Sequence, residues 1–141
     1  MRKGTSLIEA LILVLILAVL LQIGAVSFQK MEPGYRLQAG VWEVLSKMNQ
    51  ARFKAMLDGE PVRIRFSRGA CALDEWDENA EEWRPGEVSV VEGILLGANN
   101  TPIFQPEGTV SNLASITVSN ARGAYKISLA ITGRTKVTRL A

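Results

Sequence analysis

The chain has 141 residues, long enough for a membrane anchor and one ordinary domain but too short for two domains. Its net charge of +2 says little, because the charges are unevenly distributed. The sequence contains one cysteine, Cys71, and no histidine, which excludes an intramolecular disulfide and removes the commonest general base and metal ligand. We expect Cys71 to be a buried small hydrophobe and not a reactive thiol.

The N-terminal segment is predicted to be a membrane anchor. Residues 10–21 are all apolar, and a helix over residues 5–28 would reach about 36 Å, at roughly 1.5 Å per residue. That length crosses a hydrocarbon core of about 30 Å. Because Arg2 and Lys3 precede the run, we expect a cytoplasmic N-terminus and a single pass, with the remaining chain outside.

Glu9 is the one residue that does not suit a plain anchor. A charged side chain at the centre of a membrane costs about 2.5–3.5 kcal/mol, and less near the interface. One interpretation places Glu9 shallow enough to reach the headgroups. We favour the other, in which assembly supplies a cationic partner for the carboxylate.

The residues around Glu9 resemble a known type of N-terminal signal sequence. Lys3-Gly4-Thr5-Ser6-Leu7-Ile8-Glu9, followed by the apolar run, resembles the class III signal of type IV pilins and type II secretion pseudopilins. The resemblance implies that a prepilin peptidase cleaves between Gly4 and Thr5 and methylates the amine of Thr5. It also implies that Glu9 pairs with the terminal amine of a neighbouring subunit. The alternative is a conventional secretory signal, which would have no use for Glu9.

The pattern of residues after the anchor predicts a second helical stretch. Pro33-Gly34 should interrupt or kink the helix. Gly59 and Pro61 are suited to end it. Between them an apolar stripe recurs at three- and four-residue spacing, while Lys47 and other polar residues lie off it. The stripe comprises Leu37, Val41, Val44, Leu45, Met48, Ala51 and Ala55.

The remaining chain predicts strands. Val62-Arg63-Ile64-Arg65-Phe66 alternates apolar and basic side chains, as in a half-buried strand. A turn is expected at 97–102, and Glu92-Gly93 should bend the strand that contains them. Further strands are expected at 70–73, 88–96, 116–118, 125–129 and 133–140.

An acidic stretch at 74–86 carries six carboxylates around Trp76 and Trp83. It has no recognisable calcium-loop pattern, so we favour a solvated acidic loop and predict no metal site and no cofactor. The two tryptophans could serve internal packing or contact a neighbouring subunit. The chain also lacks a nucleophile elbow, a phosphate loop and metal-ligand spacing, which argues against an enzyme.

The order of these elements, with Ile103-Phe104-Gln105-Pro106-Glu107-Gly108 and a closing strand after Gly133-Arg134, resembles H-type minor pseudopilins of type II secretion and the FimT and FimU minor pilins. The resemblance implies an α+β pilin-like fold, with a long N-terminal helix packed on a C-terminal antiparallel sheet. The implied organisation is a leader at 1–4, a transmembrane or filament-core helix at 5–28, an amphipathic helix at 29–58 and a periplasmic β-rich domain at 59–141.

No acidic residue follows Glu107, whereas five basic residues do. On a closing strand Arg134, Lys136 and Arg139 could share one face, which would suit phosphate contacts. FimT-type pilins that serve DNA uptake have a Gly-Arg-x-Arg motif, which stands here as Gly133-Arg134-Thr135-Lys136. We favour the simpler interpretation, a solvated edge strand on which the charges discourage aggregation.

The resemblance therefore predicts a structural subunit of a secretion pseudopilus or a type IV pilus. Its partners would be other pilins or pseudopilins, the prepilin peptidase and an inner-membrane assembly platform. The chain would sit in the inner membrane, with its globular domain in the periplasm, before it enters a filament. A DNA-binding minor pilin for DNA uptake is the alternative function.

Overall fold

The computed structural model describes residues 6–140, apart from the side chains of residues 24–31. The chain forms two compact units, Met1–Glu32 and Pro33–Ala141. Its elements, in chain order, are helix α1 (Leu7–Asp58) and strands β1 (Val62–Ser67), β2 (Ala70–Asp77), β3 (Glu82–Val90), β4 (Leu95–Ala98), β5 (Ile103–Phe104), β6 (Val110–Ser111), β7 (Ser115–Asn120), β8 (Gly123–Leu129) and β9 (Thr135–Leu140).

Helix α1 includes Pro33, so the helix is not interrupted at Pro33-Gly34. The kink, which is the alternative that the sequence indicated there, stays a prediction. A proline removes one backbone donor from a helix, and here the carbonyl of Pro33 also accepts a hydrogen bond from Asn120 Nδ2 at 2.7 Å. The predicted end of the helix is confirmed. Gly59 adopts a φ of +71°, and its N–H donates to the carbonyl of Ala55 at 3.1 Å, as in a glycine C-cap.

Among the residues that the structure describes, no helix combines the length and apolar character needed to cross a bilayer. The predicted anchor at 5–28 extends over Thr5 and over side chains 24–28, which lie outside the described part of the chain.

The strands form two antiparallel sheets. A five-stranded sheet has the order β3-β2-β1-β5-β6, and a four-stranded sheet has the order β4-β7-β8-β9. In the first, Ile64 lies opposite Leu73 and Arg63 lies opposite Asp74. In the second, Ile127 lies opposite Val137. The predicted α+β class, with a helix packed on antiparallel strands, is confirmed.

The core lies where the C-terminal half of α1 covers both sheets. The predicted stripe supplies it: all of its members are buried except Leu45, which packs against the core from its margin. Val62, Ile64 and Phe104 face it from the five-stranded sheet, and Ile116 and Ile127 face it from the four-stranded sheet. Cys71 is fully buried, as predicted.

Two strand predictions need correction. The stretch 74–86 is mostly strand, since β2 continues to Asp77 and β3 starts at Glu82. Asp74 is not solvated there but only 1% exposed, because its strand position places it between two arginines of β1. The strand expected at 88–96 is two strands, because the chain turns at Glu92-Gly93 between β3 and β4, where Gly93 has a φ of +71°.

Candidate interaction surfaces

In the N-terminal unit, Glu9 lies in the first turn of α1. Ser6 caps this end of the helix: its Oγ accepts a hydrogen bond from the N–H of Ile8 at 3.3 Å. Glu9 makes no ion pair with any residue that the structure describes. The predicted cleavage site between Gly4 and Thr5, and the predicted methylation of Thr5, lie outside the described residues.

The same unit exposes an apolar surface. Every large apolar side chain from Leu7 to Ile23 is at least 49% exposed. A continuous apolar surface of this size marks a site of contact with lipid or with other apolar helices.

In the second unit, one flank of α1 is polar and is tied to the five-stranded sheet. Lys47 Nζ lies 2.8 Å from Glu87 Oε1, and Lys54 Nζ lies 2.7 Å from Glu75 Oε1. The hydrogen bond from Lys47 lowers the pKa of Glu87, and the hydrogen bond to Glu75 raises the pKa of Lys54. Lys47 is buried, although its place off the apolar stripe suggested a solvent-facing side chain.

The opposite flank of α1 is apolar and exposed. The exposed fractions of Trp42, Phe53, Met56 and Leu57 are 64%, 64%, 49% and 83%. We call these four residues the apolar flank. It was not predicted from the sequence, although Phe53, Met56 and Leu57 recur at three- and four-residue spacing beside the buried stripe.

Arg52 lies between the buried stripe and the apolar flank, against two glycine turns. A Cβ atom at Gly133 would lie 3.0 Å from its Cζ and Nε atoms, and one at Gly108 would lie 3.5 Å from Nη2. Both glycines have positive φ values, +76° and +81°. They are the last glycine of the motif at 103–108 and the glycine of Gly133-Arg134, and the absence of a side chain at Gly133 leaves room for the guanidinium. No feature of the sequence had pointed to Arg52.

The outer face of the five-stranded sheet carries a buried carboxylate clamped by arginines. Asp74 accepts a hydrogen bond from Arg63 Nε at 2.8 Å and from Arg65 Nη2 at 3.0 Å. Burial alone would raise the pKa of Asp74, but the hydrogen bonds and charges of the two arginines together lower it. The guanidinium of Arg63 also lies 4.6 Å from the ring centre of Trp83, which packs edge-on against Trp76. The two tryptophans thus pack against each other within the chain, and their contact with a neighbouring subunit stays a prediction.

The β2–β3 hairpin ends in an acidic tip, defined here as Glu78, Glu81 and Glu82. All three side chains are exposed, and none has an ion pair with a described residue. Asp77 shapes the turn, since its Oδ1 accepts hydrogen bonds from the backbone N–H groups of Asn79 and Ala80. Within the described ranges, no group of three or more acidic or cysteine side chains is placed to hold a metal ion.

The predicted basic strip is divided by the strand geometry. Lys136 lies opposite Ser128 and Arg139 opposite Tyr125, so the alternation of side chains puts Lys136 and Arg139 on opposite faces of β9. The expectation that Arg139 shares a face with Lys136 is therefore wrong. Lys126, opposite Thr138, is on the face of Lys136, and Arg134 immediately precedes β9. β9 is an edge strand.

Two solved structures share this fold, both of the minor pseudopilin EpsH from the type 2 secretion system of Vibrio cholerae. One has a TM-score of 0.61 and 9% identity, and the match covers 74% of this chain and 97% of the EpsH chain. The other has a TM-score of 0.62 and 8% identity, and covers 75% and 95%. At such low identity the likeness shows the fold, which is pilin-like. Neither a family model nor a curated protein matches the sequence.

Proposed function

We propose that this chain is a minor pseudopilin or minor pilin, a structural subunit of a type II secretion pseudopilus or a type IV pilus. The observation that carries the proposal is the exposed apolar surface of Leu7 to Ile23, interrupted by the single carboxylate of Glu9. This surface precedes a unit with the fold of a solved minor pseudopilin. We propose no enzymatic activity and no cofactor.

In this proposal residues 1–4 are a leader that a prepilin peptidase removes, and Thr5 becomes the methylated N-terminus. Residues 5–28 hold the chain in the inner membrane and later enter the filament core, while residues 29–58 and 59–141 form the periplasmic part. An inner-membrane platform transfers the chain from the bilayer to the filament. In the filament, burial of apolar surface against neighbouring anchors supplies cohesion, worth about 25 cal/mol per Å² relative to exposure of that surface to water.

Glu9 sets the axial register in this mechanism. A carboxylate inside a bundle of apolar helices is costly unless a cation lies beside it. Glu9 has no such partner among the described residues of its own chain, so the methylated amine of a neighbouring Thr5 would supply one. Each subunit would then enter the bundle at one fixed height.

Glu9→Val should block incorporation while leaving membrane insertion and cleavage intact. The full chain would be expressed with a prepilin peptidase and a filament-forming major subunit. Intact-mass spectrometry would report the loss of residues 1–4 and the added methyl group, and sheared filaments would be probed for the chain. We expect processed protein in the membrane for both forms, but filament-associated protein for the wild type alone.

The matched control is Gln22→Val, which changes the other long polar side chain of residues 5–28 without removing a charge. It should enter filaments normally. Normal co-purification of Glu9→Val with filaments would contradict the register mechanism. An uncleaved wild-type chain would contradict the assignment to the pilin class altogether.

DNA binding is the second candidate function. It is favoured by the common face of Lys126 and Lys136 beside Arg134, and weakened by Arg139, which faces the other way. Lysine also lacks the two-pronged geometry with which arginine binds phosphate.

Duplex DNA binding by the unit Pro33–Ala141, measured across a salt series, separates the two candidates. If the chain binds DNA, Lys126→Gln with Lys136→Gln should weaken binding and lower the salt slope by about one per lost phosphate contact. Arg139→Gln, on the opposite face, is the control and should change neither quantity. Absence of binding at low salt would leave only the structural role.

A further inference from the structure

A groove lies between α1 and the outer strand of the four-stranded sheet. It has a volume of about 220 Å³. Since a cavity of about 150 Å³ already accepts a benzene ring, one large apolar side chain would fit. Trp42 and Val137 on its walls are 64% and 40% exposed, so the described part of the chain leaves apolar surface uncovered here. The groove is lined by Gln38, Val41, Trp42, Leu45, Tyr125 and Val137.

The strand that forms one wall of this groove, β9, has a free edge. Within the described residues β9 pairs with β8 alone, and all six of its side chains are exposed. The backbone N–H and C=O groups along such an edge are a template for one more strand. An added strand would lie about 4.8 Å from β9. Its side chains on the side of α1 would point into the groove, so main-chain pairing and a side-chain pocket coincide, as in binding by strand addition.

The charges of β9 indicate which strand would pair there. Arg139 lies opposite Tyr125, which places it on the groove side of the sheet, two residues beyond Val137. The side chains of Arg139, Lys136 and Arg134 have no ion pair or hydrogen bond with any described residue. Carboxylates on the incoming strand would complement these cations. A second copy of β9 would instead set like charges opposite each other, which is destabilising.

We propose that β9 accepts an acidic, extended segment of a different filament subunit, which becomes the fifth strand of this sheet and inserts one apolar side chain into the groove. The spacing of Val137 and Arg139 calls for a carboxylate two residues away from that apolar side chain. The charges that keep copies of this chain apart would thus select the partner. The inference rests on the proposed function and deepens it. The contact occupies one edge and does not repeat, which suits a minor subunit.

Peptide binding to the full chain in micelles of an uncharged detergent tests the proposal. The probe is a fluorescently labelled peptide, Thr-Glu-Thr-Leu-Thr-Glu-Thr, which carries leucine and both glutamates on one face when extended. Fluorescence anisotropy should show saturable binding, and hydrogen exchange should slow at backbone amides of β9. Two control peptides should not bind: one with lysine in place of glutamate, and one with every backbone amide of the acidic peptide N-methylated.

Variants of the chain test whether the groove and its arginine make the contact. Trp42→Ala and Arg139→Glu should each weaken binding of the acidic peptide at least about tenfold. Arg139→Glu should gain binding of the lysine peptide, which excludes misfolding as the cause of the loss. The matched controls are Phe53→Ala, with the same exposed fraction as Trp42, and Arg68→Glu, in the exposed turn between β1 and β2. Both should bind the acidic peptide as the wild type does.

Several results would overturn the proposal. They are absence of saturable binding, equal binding of the acidic and lysine peptides, binding without slower exchange in β9, and binding that persists in Arg139→Glu. Loss of binding with Lys126→Gln and Lys136→Gln alone would place the contact on the outer face, where the DNA-binding candidate lies. Self-association of the chain that the peptide displaces would make a second copy the occupant. Leader cleavage and Glu9-dependent entry into filaments are measured separately, so failure here would leave the proposed function standing.

Discussion

Asp74 shows how one side chain connects the edge of the five-stranded sheet to its centre. Its carboxylate on β2 holds two arginines of β1, and one of these lies over Trp83 of β3. Three adjacent strands are thus linked by polar and aromatic contacts on the face that points away from the core.

Asp74→Asn should lower the free energy of unfolding by about 1–3 kcal/mol, the cost of leaving a buried polar group poorly paired. Loss of a fully buried ion pair would cost more, but Arg63 and Arg65 are partly exposed, so water can solvate them. Urea unfolding of the unit Pro33–Ala141 measures the difference. Glu78→Gln, on the acidic tip, is the control and should stay within about 0.5 kcal/mol of wild type.

The contacts of Asp74 with its two arginines also predict how the stability of the fold depends on pH. The pKa of Asp74 is lower in the folded state, so acid protonates the unfolded chain first. The stabilisation is fully present above the ordinary carboxyl pKa, about 3.9, and is lost as the pH falls through the folded value. In acid, the stability of wild type should therefore fall more steeply than that of Asp74→Asn. Parallel pH profiles would contradict this assignment.

Neither Asp74 nor Arg52 could be recognised from the sequence as a special position. Asp74 begins a run of carboxylates, which predicts solvation, and only the pairing of β2 with β1 reveals the arginines beside it. The contacts of the Arg52 side chain are made by two glycine turns that lie more than 50 residues away in the chain. Local patterns carry no information about contacts of this range.

At the scale of elements, α1 lies close to the sheets because small residues line its last turns. Ala51 and Ala55 are fully buried. Ala55→Leu should cost about 1–3 kcal/mol of stability, since extra methyl groups in a packed core force neighbours to shift. Thermal unfolding of the same unit measures it. Ala39→Leu, on the exposed side of α1, should have little effect, and an equal loss there would contradict the packing argument.

The apolar stripe of α1 could be predicted because a period near 3.6 survives any tertiary arrangement. The continuation of α1 through Pro33 could not be predicted, because a proline inside a helix favours a break or a kink, whereas the helix continues to Asp58. The strand β1 was predictable from alternation. β3 was not, because Glu82 to Val90 contains Pro85 and Gly86, which are tolerated at the edge of a sheet.

For the whole molecule, every buried core residue that the structure describes belongs to the unit Pro33–Ala141. We therefore expect this unit to fold when it is produced alone, with one cooperative transition and about 5–15 kcal/mol of stability. The full chain should need detergent. Coincident urea transitions by circular dichroism and tryptophan fluorescence would support this, and an unfolded fragment would show that residues 1–32 contribute to folding.

The fold class as a whole followed from the family resemblance, which rests on the N-terminal signal and on the order of the helix and the short strands. The split into two sheets did not, because single strands give no sign of which neighbour they pair with. The acidic tip and the basic residues of β8 and β9 were visible in the sequence as runs of like charge. Only the strand register showed that Lys126 and Lys136 lie on the same face of the sheet.

Cys71 is the only thiol, and burial raises its pKa. In the periplasm, where the proposed function places this unit, the native molecule would offer no thiolate to oxidoreductases, whereas a chain still in transit would. Mixed disulfides would then form with immature copies alone. A single sulfur atom would thus let folding catalysts tell finished subunits from unfinished ones.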